Sequence, residues 1–320
     1  MNSTRDGSRT LAFLGCGWAT RIHSRVLRGE PGLEMRYASR DPAKAEAFRR
    51  RYGGAVAYPS YEAAFDDATL DVMVVATPPR EHLPLTLRAL AAGKSVIVEK
   101  PAFLEARDVA TVRRAAVELR RPVFVAENYA YKPLLGVLRE VLASRVVGEP
   151  LFLQLNAVRL QRIPGWREDP AACGGALLEG GIHWIHFLAS LDLPIRAVRG
   201  ARPGRRDGPE RSMLVIVEYE SGPVATLHYS WEVPSPLHGL RLSRLWGTDG
   251  GVTFETNGAF MAVHGRRRRV LFPAPRDIAG YRAMWHDFLR ALRSGEAPRM
   301  TLDLAERDLR LVEAIHATLQ

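Results

Sequence analysis

One six-residue stretch decides the fold of this chain, and its sequence is Val96-Ile97-Val98-Glu99-Lys100-Pro101. The first three residues are β-branched and continuously apolar, which predicts a strand covered by helices on both faces. An ionisable pair at the strand's end is costly unless it meets a ligand, and open α/β sheets bind ligands just outside the carboxyl ends of their strands. We therefore expect Lys100 to face a ligand, on a Lys100–Pro101 peptide that is able to be cis. The alternative is an ordinary surface lysine at a strand end.

The N-terminal region predicts a strand, a glycine turn and the start of a helix, in the sequence Leu11-Ala12-Phe13-Leu14-Gly15-Cys16-Gly17-Trp18-Ala19-Thr20. Gly15 permits the tight turn, and Gly17 lets the main chain approach a pyrophosphate held at the helix N-terminus. Thr20 replaces the third glycine of the fingerprint, so an ordinary strand-to-helix turn remains open. A second predicted strand, Leu33–Ala38, follows one helix later and favours the dinucleotide site.

The second strand ends in Ser39-Arg40, where an NAD-specific site usually carries an acidic residue. A serine hydroxyl and an arginine instead suit a 2′-phosphate, through a hydrogen bond and an ion pair. Asp41 precedes Pro42 and is better explained as a helix N-cap with proline at the first helical position. The expected cofactor is NADP(H), with NAD(H) as the alternative.

Strands and helices alternate up to residue 127, which predicts an N-terminal Rossmann domain with a doubly wound parallel sheet over residues 1–127. After Asn128 the pattern changes to long stretches of period two, at 151–158, 213–219, 224–231 and 240–246. Such stretches predict a large, mostly antiparallel sheet with one open face. The expected fold class is therefore α/β, with a C-terminal α+β domain over residues 128–320 for substrate binding and oligomerisation.

A glycine-rich segment between these strands carries the other candidate catalytic residues: Gly174-Gly175-Ala176-Leu177-Leu178-Glu179-Gly180-Gly181-Ile182-His183-Trp184-Ile185-His186. If residues 177–190 are helical, Glu179, His183 and His186 share one face. A carboxylate one turn from an imidazole can orient its ring, as general acid/base catalysis requires. A core histidine, a helix-packing patch and a metal site are the alternatives. We expect no metal, because no fourth ligand is evident nearby.

These motifs, with Thr77-Pro78-Pro79 and His82, occur in the order seen in the glucose-fructose oxidoreductase/inositol dehydrogenase/MocA (Gfo/Idh/MocA) family, which the chain resembles over nearly its whole length. The resemblance implies a Rossmann domain that binds NAD(P), an open-faced sheet domain, and substrate between the two. It implies that Lys100 is the catalytic lysine and His183 the catalytic histidine. The family's usual aspartate corresponds to Glu179, which is one methylene longer, and we expect it to orient His183.

The predicted site residues fall into two sets. The cofactor-binding set comprises Gly15, Cys16, Gly17, Trp18, Ala19, Ser39, Arg40, Thr77, Pro78, His82, Glu99, Lys100 and Asn128. The substrate-binding set comprises Lys100, Trp166, Arg167, Glu179, His183 and His186.

Composition agrees with such an enzyme, since 47% hydrophobic and 25% charged residues among 320 are ordinary for a globular chain. The net charge of +10 is spread along the chain, and a diffuse positive field favours phosphorylated ligands such as NADP(H). Four consecutive arginines at 266–269 lack interleaved aromatics, so we interpret them as a solvated hairpin and expect no nucleic-acid partner.

The cysteines and the hydropathy pattern bear on where the protein works. Cys16 and Cys173 are the only cysteines and suggest no disulfide framework. We find no apolar run long enough to span a membrane and no signal-peptide pattern in residues 1–10. The expectation is a cytoplasmic enzyme that does not engage a membrane.

The sequence thus predicts an NADP(H)-dependent oxidoreductase that interconverts a secondary alcohol and a ketone on a sugar, a sugar nucleotide or a cyclitol. A nucleotide-retaining hydrolase or lyase with transient oxidation is one alternative, and a catalytically silent NAD(P)-binding sensor is another. Self-association as a dimer or tetramer is expected through the open sheet face, where Val215, Val217, Leu227 and Tyr229, or their alternating neighbours, would bury against another subunit.

Overall fold

The computed structural model describes residues 9–161, 165–204, 208, 210–234, 239–266 and 268–319. The chain forms two compact units. The first comprises the chain up to Glu127 together with Tyr281–Glu306, and the second comprises Asn128–Gly280 with Arg307–Gln320. One segment near the C-terminus, Tyr281–Glu306, therefore belongs to the first unit although it follows the second in sequence.

The first unit contains a six-stranded sheet in the order β3-β2-β1-β4-β5-β6. Every pairing in it is parallel, and the strand order reverses beside β1, as in a doubly wound fold. This confirms the predicted Rossmann sheet. Its strands are β1 (Arg9–Leu14), β2 (Leu33–Ala38), β3 (Val56–Tyr58), β4 (Val72–Val75), β5 (Ser95–Glu99) and β6 (Val123–Ala126).

The helices carry the local signals expected from the sequence. The helix that begins at Pro42 has Asp41 as its N-cap, and the Asp41 carboxylate accepts a hydrogen bond from Ala43 N at 3.1 Å, which confirms that prediction. The helices are α1 (Trp18–Leu27), α2 (Pro42–Tyr52), α3 (Tyr61–Phe65), α4 (His82–Ala91), α5 (Ala106–Glu118), α6 (Pro133–Ala143), α7 (Pro170–Cys173), α8 (Ile182–Ala189), α9 (Tyr281–Ser294) and α10 (Leu302–Ala317). No helix within the described ranges is long and apolar enough to cross a membrane.

The second unit contains an eight-stranded sheet in the order β14-β13-β12-β11-β7-β10-β9-β8. Among the strands that the structure describes in this sheet, only β7 and β10 pair in parallel, so the predicted mostly antiparallel sheet is confirmed. The predicted hairpin near the arginine run corresponds to β13 and β14; Arg267 lies outside the described residues. The strands are β7 (Pro150–Val158), β8 (Ile195–Ala201), β9 (Ser212–Tyr219), β10 (Val224–Ser230), β11 (Leu242–Gly247), β12 (Gly250–Glu255), β13 (Met261–His264) and β14 (Arg268–Leu271).

One face of this sheet is covered within the chain by the segment that contains α8. The Tyr219 hydroxyl donates a hydrogen bond to Leu188 O at 3.0 Å. A Cβ at Gly180 would collide with Tyr229 Oη, so glycine is required there for the segment to lie this close to β10.

We expected either Val215, Val217, Leu227 and Tyr229 or their alternating neighbours to bury against another subunit, and the structure rules out the first of these two sets. Their side chains are buried within the chain, because period-two alternation separates the two faces of a strand without showing which face a helix covers. The alternating neighbours on β9 and β10 lie on the other face and are partly exposed. The buried four are Val215, Val217, Leu227 and Tyr229, and the neighbours are Leu214, Ile216, Thr226 and His228.

Candidate active site

The two glycines in the turn after β1, Gly15 and Gly17, differ in whether the fold leaves room for a side chain. Gly15 has φ +101°, and a Cβ there would lie 2.6 Å from Ala76 O, so only glycine lets the ends of β1 and β4 approach each other. A Cβ at Gly17 would meet nothing within 4 Å. Thr20, in the place of the third glycine, donates its hydroxyl to Gly15 O at 2.6 Å and holds the turn. Gly15 is thus required by the fold, and Gly17 is not.

The N-terminus of α1 is suited to an anion. Gly17 is its N-cap residue, and its first turn holds no acidic residue. Among the described residues no side chain caps it, so its main-chain N–H groups and dipole are suited to a negative charge. Thr77 lies beside Gly15, and its buried hydroxyl has no hydrogen-bond partner in the part of the chain that the structure describes. Burial raises the pKa of Cys16 to about 12, so its thiol is neutral and does not repel a phosphate. The turn therefore fits the pyrophosphate of a dinucleotide.

The predicted ribose-recognition residues follow β2 at the same edge of the sheet. Ser39 is buried, and its hydroxyl accepts a hydrogen bond from Asp41 N at 3.2 Å. The Arg40 side chain is 69% exposed and pairs with Glu81 at 3.2 Å. Because Asp41 is committed to capping α2, its carboxylate does not occupy the position of an NAD-specific acid. This arrangement favours a ligand with negative charge near Arg40.

His82 braces two loops. Its Nδ1 lies 2.8 Å from Pro101 O and its Nε2 lies 2.9 Å from Thr77 O, so the ring connects the segments that follow β5 and β4. The ring is fully buried, and this burial lowers the pKa of His82 although the carbonyl oxygens oppose the shift. The ring thus holds Thr77 in place, and the predicted cofactor contact of His82 stays a prediction.

Lys100 follows β5 and is partly buried, and its main-chain N–H donates to Glu99 Oε2 at 3.0 Å. The other oxygen of Glu99 is hydrogen-bonded to His23 Nε2. Glu99 is buried, so its carboxylate is turned towards the interior of the first unit rather than presented to solvent. The Lys100–Pro101 peptide is cis, as the sequence suggested.

The predicted helix over residues 177–190 begins instead with a π-helical turn, Leu177–Gly181, followed by α8. Glu179 is buried in this turn, and its Oε1 accepts a hydrogen bond from Arg167 Nε at 3.0 Å. The Arg167 guanidinium lies 4.4 Å from the centre of the Trp166 ring. Three residues of the predicted substrate set are thus brought together; Pro164, which precedes them, lies outside the described residues.

His183 is partly buried and stacks on an aromatic ring that sequence reasoning assigned no role. Its imidazole lies 4.4 Å from the ring of Tyr129, with an interplanar angle of 16°. Trp184 meets the same ring edge-on at 4.9 Å, and Lys132 Nζ lies 4.6 Å from its centre. Stacking confines the plane of the imidazole. The predicted orienting contact from Glu179 to His183 stays a prediction.

Two residues of the predicted sets make buried contacts within the second unit. His186 has Nδ1 2.7 Å from Asp308 Oδ2, a contact that favours the core-histidine alternative for this motif. Asn128 is also buried, and its amide donates to Ala279 O at 2.6 Å. In the described ranges, no group of three or more His, Cys, Asp and Glu side chains is placed to hold a metal ion.

Glu210 is a further residue that sequence reasoning did not find. Its carboxylate accepts hydrogen bonds from Ala176 N and Leu177 N, both at 2.9 Å, and thereby fixes the start of the turn that carries Glu179. A carboxylate at a helix N-terminus is favourable. The acceptor lies 33 residues after Leu177, outside the range of any local capping signal.

A parallel doubly wound sheet with a glycine turn and an uncapped helix at its carboxyl edge defines a dinucleotide-binding protein. Residues 9–127 match the model of an oxidoreductase family with an NAD-binding Rossmann fold. Residues 137–253 match the GFO/IDH/MocA C-terminal domain. The chain belongs to the Gfo/Idh/MocA family of NAD(P)-dependent oxidoreductases.

Similar proteins act on different compounds. D-xylose 1-dehydrogenase (NADP(+)) 2 of Haloferax volcanii is 28% identical over 87% of this chain and 87% of its own length. Trans-1,2-dihydrobenzene-1,2-diol dehydrogenase of Mus musculus is 30% identical over 82% of this chain and 79% of its own length. KijD10, a 3-ketoreductase from Actinomadura kijaniata solved with NADP and TDP-benzene, has a TM-score of 0.84 at 22% identity and covers 98% of both chains. At that identity the structural likeness shows the fold alone.

The two turn glycines should respond differently to alanine. Gly15→Ala should destabilise the protein by about 2 kcal/mol or more, because the new Cβ strains the main chain against Ala76. Gly17→Ala should cost at most about 1 kcal/mol, as a change of N-cap residue, yet weaken NADPH binding by about tenfold or more, because the Cβ stands where the main chain approaches phosphate. Thermal unfolding without cofactor and NADPH fluorescence titration measure the two effects. Wild-type NADPH affinity in Gly17→Ala would overturn the assignment of the turn.

Proposed function

We propose that this protein is an NADP(H)-dependent oxidoreductase that interconverts a secondary alcohol and a ketone on a sugar, a sugar nucleotide or a cyclitol. The observation that carries the proposal is that one edge of the six-stranded sheet holds both Lys100 and the glycine turn that leads into the N-terminus of α1. In open α/β sheets this edge is where ligands bind. The names of two relatives, a D-xylose dehydrogenase and a dihydrodiol dehydrogenase, support a polyhydroxylated substrate.

The preference for NADP(H) is supported by the residues after β2. Arg40 is largely exposed and carries its positive charge in an ion pair with Glu81, and the preceding residue, Ser39, supplies a hydroxyl. The two together suit a 2′-phosphate better than a bare ribose hydroxyl. One of the relatives is named as an NADP(+) enzyme.

The chemistry divides between the cofactor and two side chains. Bound NADP(H) supplies or accepts the hydride. In the reducing direction, the Lys100 ammonium group would bind the carbonyl oxygen and stabilise the negative charge that develops on it. His183 would donate a proton to that oxygen to give the alcohol, and in the oxidising direction it would accept the proton back. Tyr129 holds the plane of the His183 ring, while Trp166 and Arg167 would form a wall for the substrate.

The cofactor preference has a direct test in Arg40→Asp. The wild-type protein should bind NADPH at least about tenfold more tightly than NADH, the yield of one charge-assisted contact. The variant should lose or reverse that preference because its carboxylate repels the 2′-phosphate and can accept from a ribose hydroxyl. Arg50→Asp makes the same change of charge at an exposed site on α2 and should leave the ratio unchanged. Equal dissociation constants for both nucleotides in the wild-type protein would contradict the proposal.

The reaction itself is tested by following NADPH absorbance with wild-type protein and Lys100→Met in parallel. The oxidation substrates, each with NADP⁺, are D-xylose, D-glucose, myo-inositol and a trans-dihydrodiol. The reduction substrates, each with NADPH, are keto-sugars. Lys100→Met should lower kcat/KM by about a hundredfold or more, while NADPH affinity changes little. His183→Ala should lower kcat/KM by a similar factor. If the two residues act as a unit, the double variant should lose less kcat/KM than the product of the two single losses. Glu179→Gln should lower kcat/KM less than either.

The matched control is Lys94→Met, at the other end of the same strand. Lys94 is buried and donates to Asp67 O at 2.5 Å, so its loss should lower the unfolding temperature and leave kcat unchanged. A Lys100→Met enzyme with normal turnover would sink the mechanism. Substrate conversion without any change in NADPH absorbance would instead indicate a nucleotide-retaining hydrolase or lyase.

We also propose that the chain self-associates, as a dimer or tetramer, through the open face of the eight-stranded sheet. Phe152 and Trp246 are directly paired across β7 and β11 and are 58% and 38% exposed. Exposed aromatic pairs of this kind are typical of subunit contacts.

Light scattering at micromolar concentration should give at least a dimer mass for the wild-type chain, and Phe152→Glu should reduce that mass. Val117→Glu, at an exposed position on α5, is the control that should not. A monomer mass for the wild-type chain would contradict the proposal.

A further inference from the structure

Inside the first unit, a chain of hydrogen bonds connects α9 to the main chain of Lys100. Trp285 Nε1 donates to His23 Nδ1 at 2.9 Å, His23 Nε2 is bonded to Glu99 Oε1, and Lys100 N donates to Glu99 Oε2 at 3.0 Å. We propose that Trp285 and His23 are positioning residues for Lys100. The inference rests on the proposed role of Lys100 in the reaction.

The first bond fixes the tautomer of His23. An indole N–H can only donate, so His23 Nδ1 must be the acceptor and must carry no hydrogen. The hydrogen of the neutral ring is therefore on Nε2, where it points at Glu99. Trp285 in this way determines that His23 donates to the carboxylate rather than competing with it as a second acceptor.

The surroundings of His23 leave its ring one orientation. Phe13 stacks nearly parallel to it at 6.3 Å, and Tyr281 and Trp285 meet it edge-on at 5.7 and 5.4 Å. The ring is completely buried. A rigid donor of this kind gives the Glu99 carboxylate a fixed direction as well as a partner.

The Glu99 carboxylate connects His23 to Lys100. One oxygen is engaged by His23, and the other accepts the main-chain N–H of Lys100, the residue whose side chain is proposed to act on the substrate. A buried His–Glu pair with a purely structural role would stabilise the fold without fixing the position of one particular residue. Here the last hydrogen bond ends on Lys100 itself. Weakening the hydrogen bonds between Trp285, His23 and Glu99 should therefore make the main chain of Lys100 mobile before the sheet unfolds. Misplacement by about 1 Å can cost about a hundredfold in rate.

Two substitutions of His23 separate positioning from stability. The amide of Asn reaches only as far as Nδ1, so His23→Asn can accept from Trp285 but cannot reach Glu99. The amide nitrogen of Gln reaches the position of Nε2, so His23→Gln can donate to Glu99. Both should lower the unfolding temperature. Deuterium exchange at the Lys100 amide, resolved by overlapping peptides in mass spectrometry, should be about tenfold faster in His23→Asn and near wild type in His23→Gln.

Turnover should follow exchange and not stability. With NADP⁺ and the best compound of the panel above, kcat should fall about ten- to a hundredfold in His23→Asn and less than about threefold in His23→Gln, with KM and NADPH affinity nearly unchanged. Trp285→Phe keeps the ring and removes only the donor, so an intermediate loss of kcat is expected. Leu289→Ala, also buried on α9, should lower the unfolding temperature without changing kcat or the exchange rate.

The outcomes distinguish this inference from the proposed function. If His23→Asn and His23→Gln lose turnover equally, or if Lys100 amide exchange is the same in both, His23 is a structural residue only and the inference fails. If Lys100→Met is fully active, the role of Lys100 fails, whereas the exchange rates still report whether His23 and Trp285 hold its main chain.

Discussion

The close approach of β1 to β4 at Gly15 is the constraint on which the dinucleotide edge depends. Gly15 N donates to Ala38 O on β2, Ala76 N donates to Leu14 O, and no side chain can fit at Gly15. The ends of three neighbouring strands are thereby held level at one edge. Thr77 and the N-terminus of α1 face the same place because the strands that carry them end there. The absence of a Cβ at Gly15 therefore determines where Thr77 and the N-terminus of α1 meet in the first unit.

Buried carboxylates organise the remaining parts of the site. Glu99 holds the main chain of Lys100, Glu210 holds the start of the turn with Glu179, and Asp308 holds His186 at the end of α8. Each has hydrogen-bond donors in place, which offsets the cost of burying its charge. The residues proposed to act on a ligand are thus held in place by buried carboxylates of their own unit. His186 forms with Ser190 and Asp308 a Ser-His-Asp arrangement that is buried.

The sequence predicted features that depend on local chemistry. The Asp41 N-cap, the parallel sheet, the glycine turn and the cis peptide at Lys100–Pro101 follow from neighbouring residues or from strand periodicity. It did not predict the partners of His23, because Glu99 and Trp285 lie 76 and 262 residues away. The π-helical turn at Glu179 was not predicted for a related reason. Its Gly180 packs against Tyr229, which lies on a strand that is distant in sequence. Long-range packing, rather than propensity, decides such features.

The division of the C-terminal segment between the two units governs the order in which the protein can be made. The first unit requires Tyr281–Glu306, which includes Trp285, and the second requires Arg307–Gln320, which includes Asp308. A ribosome adds about 5–20 residues per second, so residues 1–127 wait many seconds for the helix that completes their unit. Neither unit can reach its final packing before its late segment has been synthesised. Each unit therefore becomes complete only after its own late segment has been added, Tyr281–Glu306 for the first unit and Arg307–Gln320 directly afterwards for the second.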